Sequence, residues 1–177
     1  MITVFYHETL DDEVLAWNTA CGDISGLFDD IRYQGHPYLW YIILQPFIKT
    51  GFTIFSMQII AWVFMLSAVI FFMLKSPFNL FFKTIFIFNA GMIYYYPVIA
   101  RNYSLIPLFL FLLAYLYPKR HNIPLIYSLL IILLFQTHAY IGGFCFILSL
   151  LFIFEALYIL IHRKPFNNGV KDLMRGG

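Results

Sequence analysis

The chain has 177 residues, of which 62% are hydrophobic, 21% are aromatic and 11% are charged. Soluble domains carry about 25% charged residues, so this composition excludes an ordinary water-soluble fold and predicts an integral membrane protein. The net charge of +2 hides an asymmetry, because residues 1–36 hold seven of the nine acids and one of the eleven bases. The bases are scattered between apolar runs and form no patch, so nucleic acid is not expected as a partner.

The acidic segment, residues 1–36, is predicted to lie outside the membrane and to contain short helices. Residues 8–17 favour a helix, since their acids cluster in its first turns, where the helix dipole favours negative charge. Its predicted apolar face consists of Leu10, Val14 and Trp17. Asp12 faces away from that stripe. Residues 21–30 are typical of a loop or a second short helix.

Residues 37–49 are apolar but too short to cross a bilayer, which needs about 20 residues. Pro37 is well placed as the first residue of a helix. A re-entrant or interfacial helix fits this segment best, with Trp40 and Tyr41 at the level of the lipid headgroups.

Residues 50–162 predict a transmembrane bundle. The expected spans lie near 52–74, 80–98, 102–118, 123–138 and 140–161, separated by charged or polar breaks. The fold class is therefore all-α integral membrane, with about five transmembrane helices and short juxtamembrane helices in the acidic segment. Basic loops favour the cytoplasmic side, and these residues set the orientation: Lys75, Lys83, Lys119, Arg120, Arg163 and Lys164. Residues 163–177 are predicted to form a basic cytoplasmic tail, and the acidic segment, Arg101 and His138 are predicted to lie on the outer face of the cell membrane.

Paired carboxylates are the first candidates for chemistry. Asp12 and Glu13 lie on a short helix beside the membrane, where a carboxylate can act as general base toward a hydroxyl. The simpler interpretation is that these acids solvate an exterior loop. Asp29 and Asp30 have the same ambiguity, and their oxygens are also of the kind that holds a divalent cation.

The other candidates are isolated. Arg101, flanked by tyrosines that include Tyr103, either grips a phosphate or extends to the interface as a snorkelling arginine. Arg32, the only base in the acidic segment, either pairs with Asp29 or Asp30 or binds a ligand. His36 and His138 each lie near a helix end, as hydrogen-bonded structural residues or as ligand-binding ones. Cys21 and Cys145 predict neither a disulfide nor a metal site.

Four short motifs in this order resemble the polytopic GT-C glycosyltransferases, which include the protein O-mannosyltransferases and the aminoarabinose transferases. The motifs read Asp12-Glu13-Val14-Leu15-Ala16-Trp17, Gly35-His36-Pro37-Tyr38-Leu39-Trp40-Tyr41, Ala100-Arg101-Asn102-Tyr103-Ser104-Leu105 and Thr137-His138. The resemblance covers roughly residues 8–155.

The resemblance implies transfer of a sugar from a polyprenyl-phosphate donor in the membrane to a hydroxyl of a glycan, lipid or protein acceptor on the outer face. Asp12, with Glu13 beside it, would be the catalytic base, and the anomeric configuration would invert. Arg101 would stabilise the departing lipid phosphate, while His36 and His138 would shape the polar end of the cavity. It implies no soluble cofactor.

Family members have a spanning helix before the first outer loop and many more spans downstream. The chain is therefore expected to be an N-terminal, donor-binding fragment that is inactive alone. Two alternatives remain open: a polysaccharide polymerase or flippase component, and a non-enzymatic transporter or assembly subunit. The second predicts ionisable residues paired inside the spans, and from the sequence Glu155 has no obvious basic partner.

Overall fold

The computed structural model describes residues 10–32 and 37–162, and every regular element in these two stretches is helical. The helices are α1 (Asp11–Cys21), α2 (Ile24–Ile31), α3 (Leu39–Lys49), α4 (Phe55–Lys75), α5 (Leu80–Ile87), α6 (Tyr96–Val98), α7 (Ile106–Leu116), α8 (Pro124–Phe135) and α9 (Gly142–His162). A π-helical turn, Gly91–Tyr95, precedes α6, and 3₁₀ turns occupy Asn102–Leu105, Tyr117–Lys119 and Ala139–Ile141. The predicted all-helical class is confirmed for this part of the chain.

The first three helices form a small layer in which α1 packs across α3. Trp40, Tyr41 and Leu44 of α3 are each at most 2% exposed and join a core with Ala16 and Ala20 of α1. Trp40 and Tyr41, which the sequence predicts at the level of the lipid headgroups, thus pack against helices of the chain itself, and their depth in the membrane stays a prediction. Their rings fill the space beside small alanine side chains, which lets the two helices approach closely.

The long helices pack in series, with α4 against α7, α7 against α8, and α8 against α9. The core of the first layer continues into the beginning of α4 and the start of α7, through Met57, Ala61, Ala100 and Leu105. A second core lies between α7, α8 and α9, around Leu113, Tyr127 and Leu134. The described part of the acidic segment, residues 10–32, thus packs on one end of the helix bundle.

A glycine allows the chain to turn between α3 and α4. Gly51 has a φ of +84°, which residues with a β-carbon adopt only with strain. Its N–H donates to the carbonyl of Ile48 at 2.9 Å, and the N–H of Phe52 donates to Phe47 at 3.0 Å. This pair of bonds closes the end of α3 and directs α4 away from the first layer.

Two helices of the described residues are long and apolar enough to cross a membrane: Phe55–Lys75 and the run Ala139–His162. The five predicted spans are not confirmed, because the intervening helices are shorter. The 80–98 segment is divided after Ile87: the Asn89 side chain accepts the N–H of Met92 at 3.1 Å, and Pro97 lacks an N–H donor. Pro107 and Pro124 lie in the first turns of α7 and α8, where proline is tolerated.

Candidate functional site

Glu13 is the buried acid of α1. Its residue is 0% exposed, its Oε2 accepts the N–H of Leu10 at 2.9 Å, and its Oε1 accepts the N–H of Ala100 at 2.5 Å. Carboxylates that accept backbone N–H groups form strong, charge-assisted hydrogen bonds. Glu13 therefore fastens α1 to the turn before α7, and this geometry supports a structural role rather than the predicted catalytic one.

The inward face of α1 differs from the predicted one. Leu10 and Val14 are exposed, whereas Glu13, Ala16 and Ala20 are buried. Of the predicted apolar stripe, only Trp17 packs against the core. The inward face is made instead by small alanines, which allow close packing on α3, and by the glutamate, which finds two backbone donors.

Asp12 and Arg101 meet, although they lie 89 positions apart in the sequence. Nη1 of Arg101 is 3.3 Å from Oδ2 of Asp12 and donates to the Asp12 backbone carbonyl at 2.8 Å. The Asp12 side chain is 79% exposed and the Arg101 side chain only 6%. The carboxylate of Asp12 is thus exposed at the surface of the protein, and the buried guanidinium of Arg101 lies on its inner side.

The backbone around Arg101 is fixed by further hydrogen bonds. The hydroxyl of Ser104 donates to the Arg101 carbonyl at 2.9 Å. Asn102, which is 2% exposed, donates its side-chain N–H to the carbonyl of Thr137. The Asn102 bond joins the Ala100–Leu105 motif to the Thr137-His138 motif, so two segments that are distant in sequence form one rigid junction.

His138 lies at this junction and caps the turn that leads into α9. Its Nδ1 accepts the N–H of Tyr140 at 3.1 Å, and its ring lies 4.9 Å from that of Tyr103. Burial lowers the pKa of His138, and the positive charge of Arg101 lowers it further. The ring therefore favours the neutral form, which the accepting Nδ1 also requires.

Tyr41 is a member of this group that the sequence reasoning did not assign to the site. Tyr41 is 2% exposed, and its phenol lies close enough to the Asp12–Arg101 pair for both charges to affect its pKa. Burial raises the pKa of Tyr41, with a smaller lowering by Arg101 and a smaller raising by Asp12. Its position in the Gly35–Tyr41 motif was the only available signal.

The remaining predicted site residues are placed differently. Asp29, in α2, and Arg32, just after α2, are exposed. His36 and the side chain of Asp30 lie outside the described residues. In the described part of the chain, no group of three or more His, Cys, Asp or Glu side chains could hold a metal ion. The predicted divalent-cation site at Asp29 and Asp30 includes a side chain outside the described residues, so it stays a prediction.

Glu155 has basic partners, contrary to what the sequence suggested. Nε of Arg120 lies 2.6 Å from Oε2 of Glu155, and Nε2 of His121 lies 3.1 Å from the same oxygen. The Arg120 guanidinium also stacks over the Tyr117 ring, 3.9 Å from its centroid. This charged cluster joins the turn before α8 to α9, far along the bundle from Asp12.

No protein-family model, curated protein or solved structure matches this chain. The functional argument therefore rests on the geometry of the Asp12–Arg101 junction and on the motifs that form it.

Proposed function

We propose that this chain carries the outer-face site of a membrane glycosyltransferase that moves a sugar from a polyprenyl-phosphate donor to an acceptor hydroxyl. One observation carries the proposal: an exposed carboxylate, Asp12, is held by a buried cation, Arg101, at the end of an apolar helix bundle. A general base must be reachable by its substrate and fixed in orientation, and Asp12 meets both conditions.

In the proposed reaction, the carboxylate of Asp12 takes the proton of the acceptor hydroxyl as its oxygen attacks the anomeric carbon. The bond from that carbon to the phosphate oxygen breaks, the lipid phosphate departs as an anion, and the configuration inverts. Arg101, with only 6% of its side chain exposed, fits a positioning role for Asp12 better than a direct grip on phosphate. Its positive charge still favours an anion developing nearby.

The proposal includes a multi-pass arrangement with the acidic segment outside and the basic loops in the cytoplasm. Two helical runs, Phe55–Lys75 and Ala139–His162, are long enough to cross the membrane on their own. The remaining crossings would use α5 and α6 together, α7 with its flanking 3₁₀ turns, and α8. Short helices of this kind are tolerated in membranes where protein neighbours cover their ends.

The sequence predicts a fragment that is inactive alone. Because the Asp12–Arg101 pair forms within this chain, the proposal is that the chain itself catalyses transfer, and the test separates donor binding from transfer. Membranes containing the full chain are incubated with radiolabelled polyprenyl-phosphate sugars and with a panel of hydroxyl acceptors. Asp12→Asn is expected to lower transfer by about 100-fold, the lower range for loss of a general base, while leaving donor binding unchanged. Asp11→Asn, an equivalent change at the exposed acid beside Asp12 in α1, is the matched control and should alter neither.

Two results would count against the proposal. One is that the polyprenyl-phosphate sugar binds no more strongly than polyprenol, which lacks the phosphate and the sugar. The other is transfer that survives Asp12→Asn at its original rate.

A second candidate is a non-enzymatic transporter or assembly subunit. The pairing of Glu155 with Arg120 and His121 favours it, because ionisable groups placed against apolar helices often mark transport pathways. Under this alternative, Glu155→Gln would abolish the transport or assembly function of the chain, whereas Asp12→Asn would not.

A further inference from the structure

An apolar cleft opens at the end of the bundle opposite to Asp12. It has a volume of about 440 Å³ and is lined by side chains of α4, α5, α7 and the turn after α4. Phe72 forms its floor: its ring lies 4.8 Å from that of Phe86 and 4.9 Å from that of Phe111. Packed rings with remaining space between them suit a flexible hydrocarbon chain.

The mouth of the cleft is polar and cationic. Lys75 and Ser76 line it, and the ammonium group of Lys75 lies 5.8 Å from the centroid of the Tyr115 ring. The Ser76 hydroxyl oxygen is buried and has no hydrogen-bond partner, which is costly unless a ligand supplies one. These two side chains are adjacent in sequence and offer a charge and a hydroxyl to the same ligand.

The surrounding charge is positive and uncompensated. Lys83 reaches the end of α4, where its Nζ donates to the Met73 carbonyl at 2.7 Å. Between Asp30 and Glu155 the sequence contains no acid, and Glu155 is itself paired with Arg120. Among the described residues, a negatively charged headgroup at this mouth would therefore meet attraction and no nearby acid.

We propose that this cleft binds an anionic phospholipid, with an acyl chain among the aromatic rings and the phosphate at Lys75 and Ser76. The site is separate from the proposed sugar-transfer site. Helix α4 has 21 residues, so at 1.5 Å per residue its ends are about 30 Å apart. A lipid in the cleft places its headgroup at the membrane face opposite to Asp12.

The test is competitive lipid binding followed by native mass spectrometry. The full chain, in a mild detergent, is incubated with equal amounts of phosphatidylglycerol and phosphatidylcholine that carry the same acyl chains. The wild type should retain phosphatidylglycerol about fivefold in excess, the factor expected from one basic residue near an anionic lipid. Lys75→Gln should remove this preference, whereas Lys49→Gln, the same change in α3 away from the cleft, should preserve it.

A second variant tests the apolar part. Ala114 lines the cleft, and Ala114→Trp should fill it and reduce retention of both lipids. Three results would overturn the proposal: equal retention of the two lipids by the wild type, an equal loss in Lys49→Gln, or displacement of the lipid by inorganic phosphate. The same competition is repeated with polyprenyl phosphate against phosphatidylglycerol, and a preference for polyprenyl phosphate that depends on Lys75 would be a fourth result against the proposal.

Discussion

At the scale of single residues, neighbouring acids have opposite environments. Glu13 is enclosed by backbone donors, while Asp12 projects outward beside Arg101. A single step along the helix therefore separates a structural carboxylate from a reachable one, and substitutions at the two positions should affect different properties.

Glu13→Ala is expected to destabilise the protein by about 2–4 kcal/mol, because two backbone N–H groups lose a charged acceptor in a buried place. Glu13→Gln should cost less, since an amide oxygen can still accept one of these bonds. The thermal unfolding midpoint in detergent measures the effect. Asp12→Asn is the control and should leave the midpoint nearly unchanged, and an equal loss in both variants would contradict the assignment.

His138 should make stability depend on pH. Its pKa is lowered from the ordinary value of 6.5, so between the lowered pKa and 6.5 the unfolded chain binds more protons than the folded one. The free energy of unfolding should therefore fall as pH drops through this window, and the loss should be complete below the lowered pKa. Unfolding midpoints between about pH 8 and pH 5 provide the measurement.

The matched variant for this pH effect is His138→Asn. Its side-chain oxygen can still accept the N–H of Tyr140 as a helix cap does, but it does not titrate in this range. The slope below pH 6.5 should become shallower in the variant. An unchanged slope would place the titration on another group.

At the scale of helices, α9 is attached to the rest of the bundle by charge as well as by packing. Only 6% of the most apolar stretch of this helix is buried within the chain, so its packing against α8 in the second core is limited. The Arg120–Glu155 pair supplies a fixed contact at one end. This contact makes the turn before α8 a determinant of where α9 lies.

A double-mutant cycle with Arg120→Gln and Glu155→Gln should give a coupling energy of about 1 kcal/mol, since the pair is only partly shielded from solvent. Unfolding midpoints of the wild type, both single variants and the double variant provide it. Lys119→Gln, which removes the adjacent charge, should show no coupling to Glu155→Gln. Additive effects of the two main substitutions would show that the pair contributes nothing to the attachment.

At the scale of the whole molecule, the proposed orientation can be read from cysteine accessibility. Cys21 is exposed and Cys145 is buried, so intact cells should label Cys21 alone with a membrane-impermeant maleimide. In a Cys21→Ser background, Lys119→Cys should react only after permeabilisation. The reverse pattern would place Asp12 in the cytoplasm and remove the basis for an outer-face transferase.

The sequence by itself determined the helical class of the described residues and the apolar runs that form the two helices long enough to cross a membrane. These follow from composition and from apolar runs, which are local properties that need no knowledge of packing. The sequence also singled out Asp12, Arg101 and His138, because charged groups stand out against so apolar a background. The five predicted spans are not confirmed, and the 80–98 segment is interrupted because Asn89 and Pro97 act on the backbone in ways that hydropathy does not record.

Only the tertiary structure decided which acid is buried, and what Arg101 and Glu155 pair with. Each of these answers depends on contacts between segments 34 to 89 positions apart, and side-chain spacing along one helix cannot specify them. Small residues such as Ala16 and Ala20 set the close approach of α1 to α3, and that approach brings Glu13 to the N–H of Ala100. Burial of a charge is settled by whether partners are present in space, which a linear pattern leaves open.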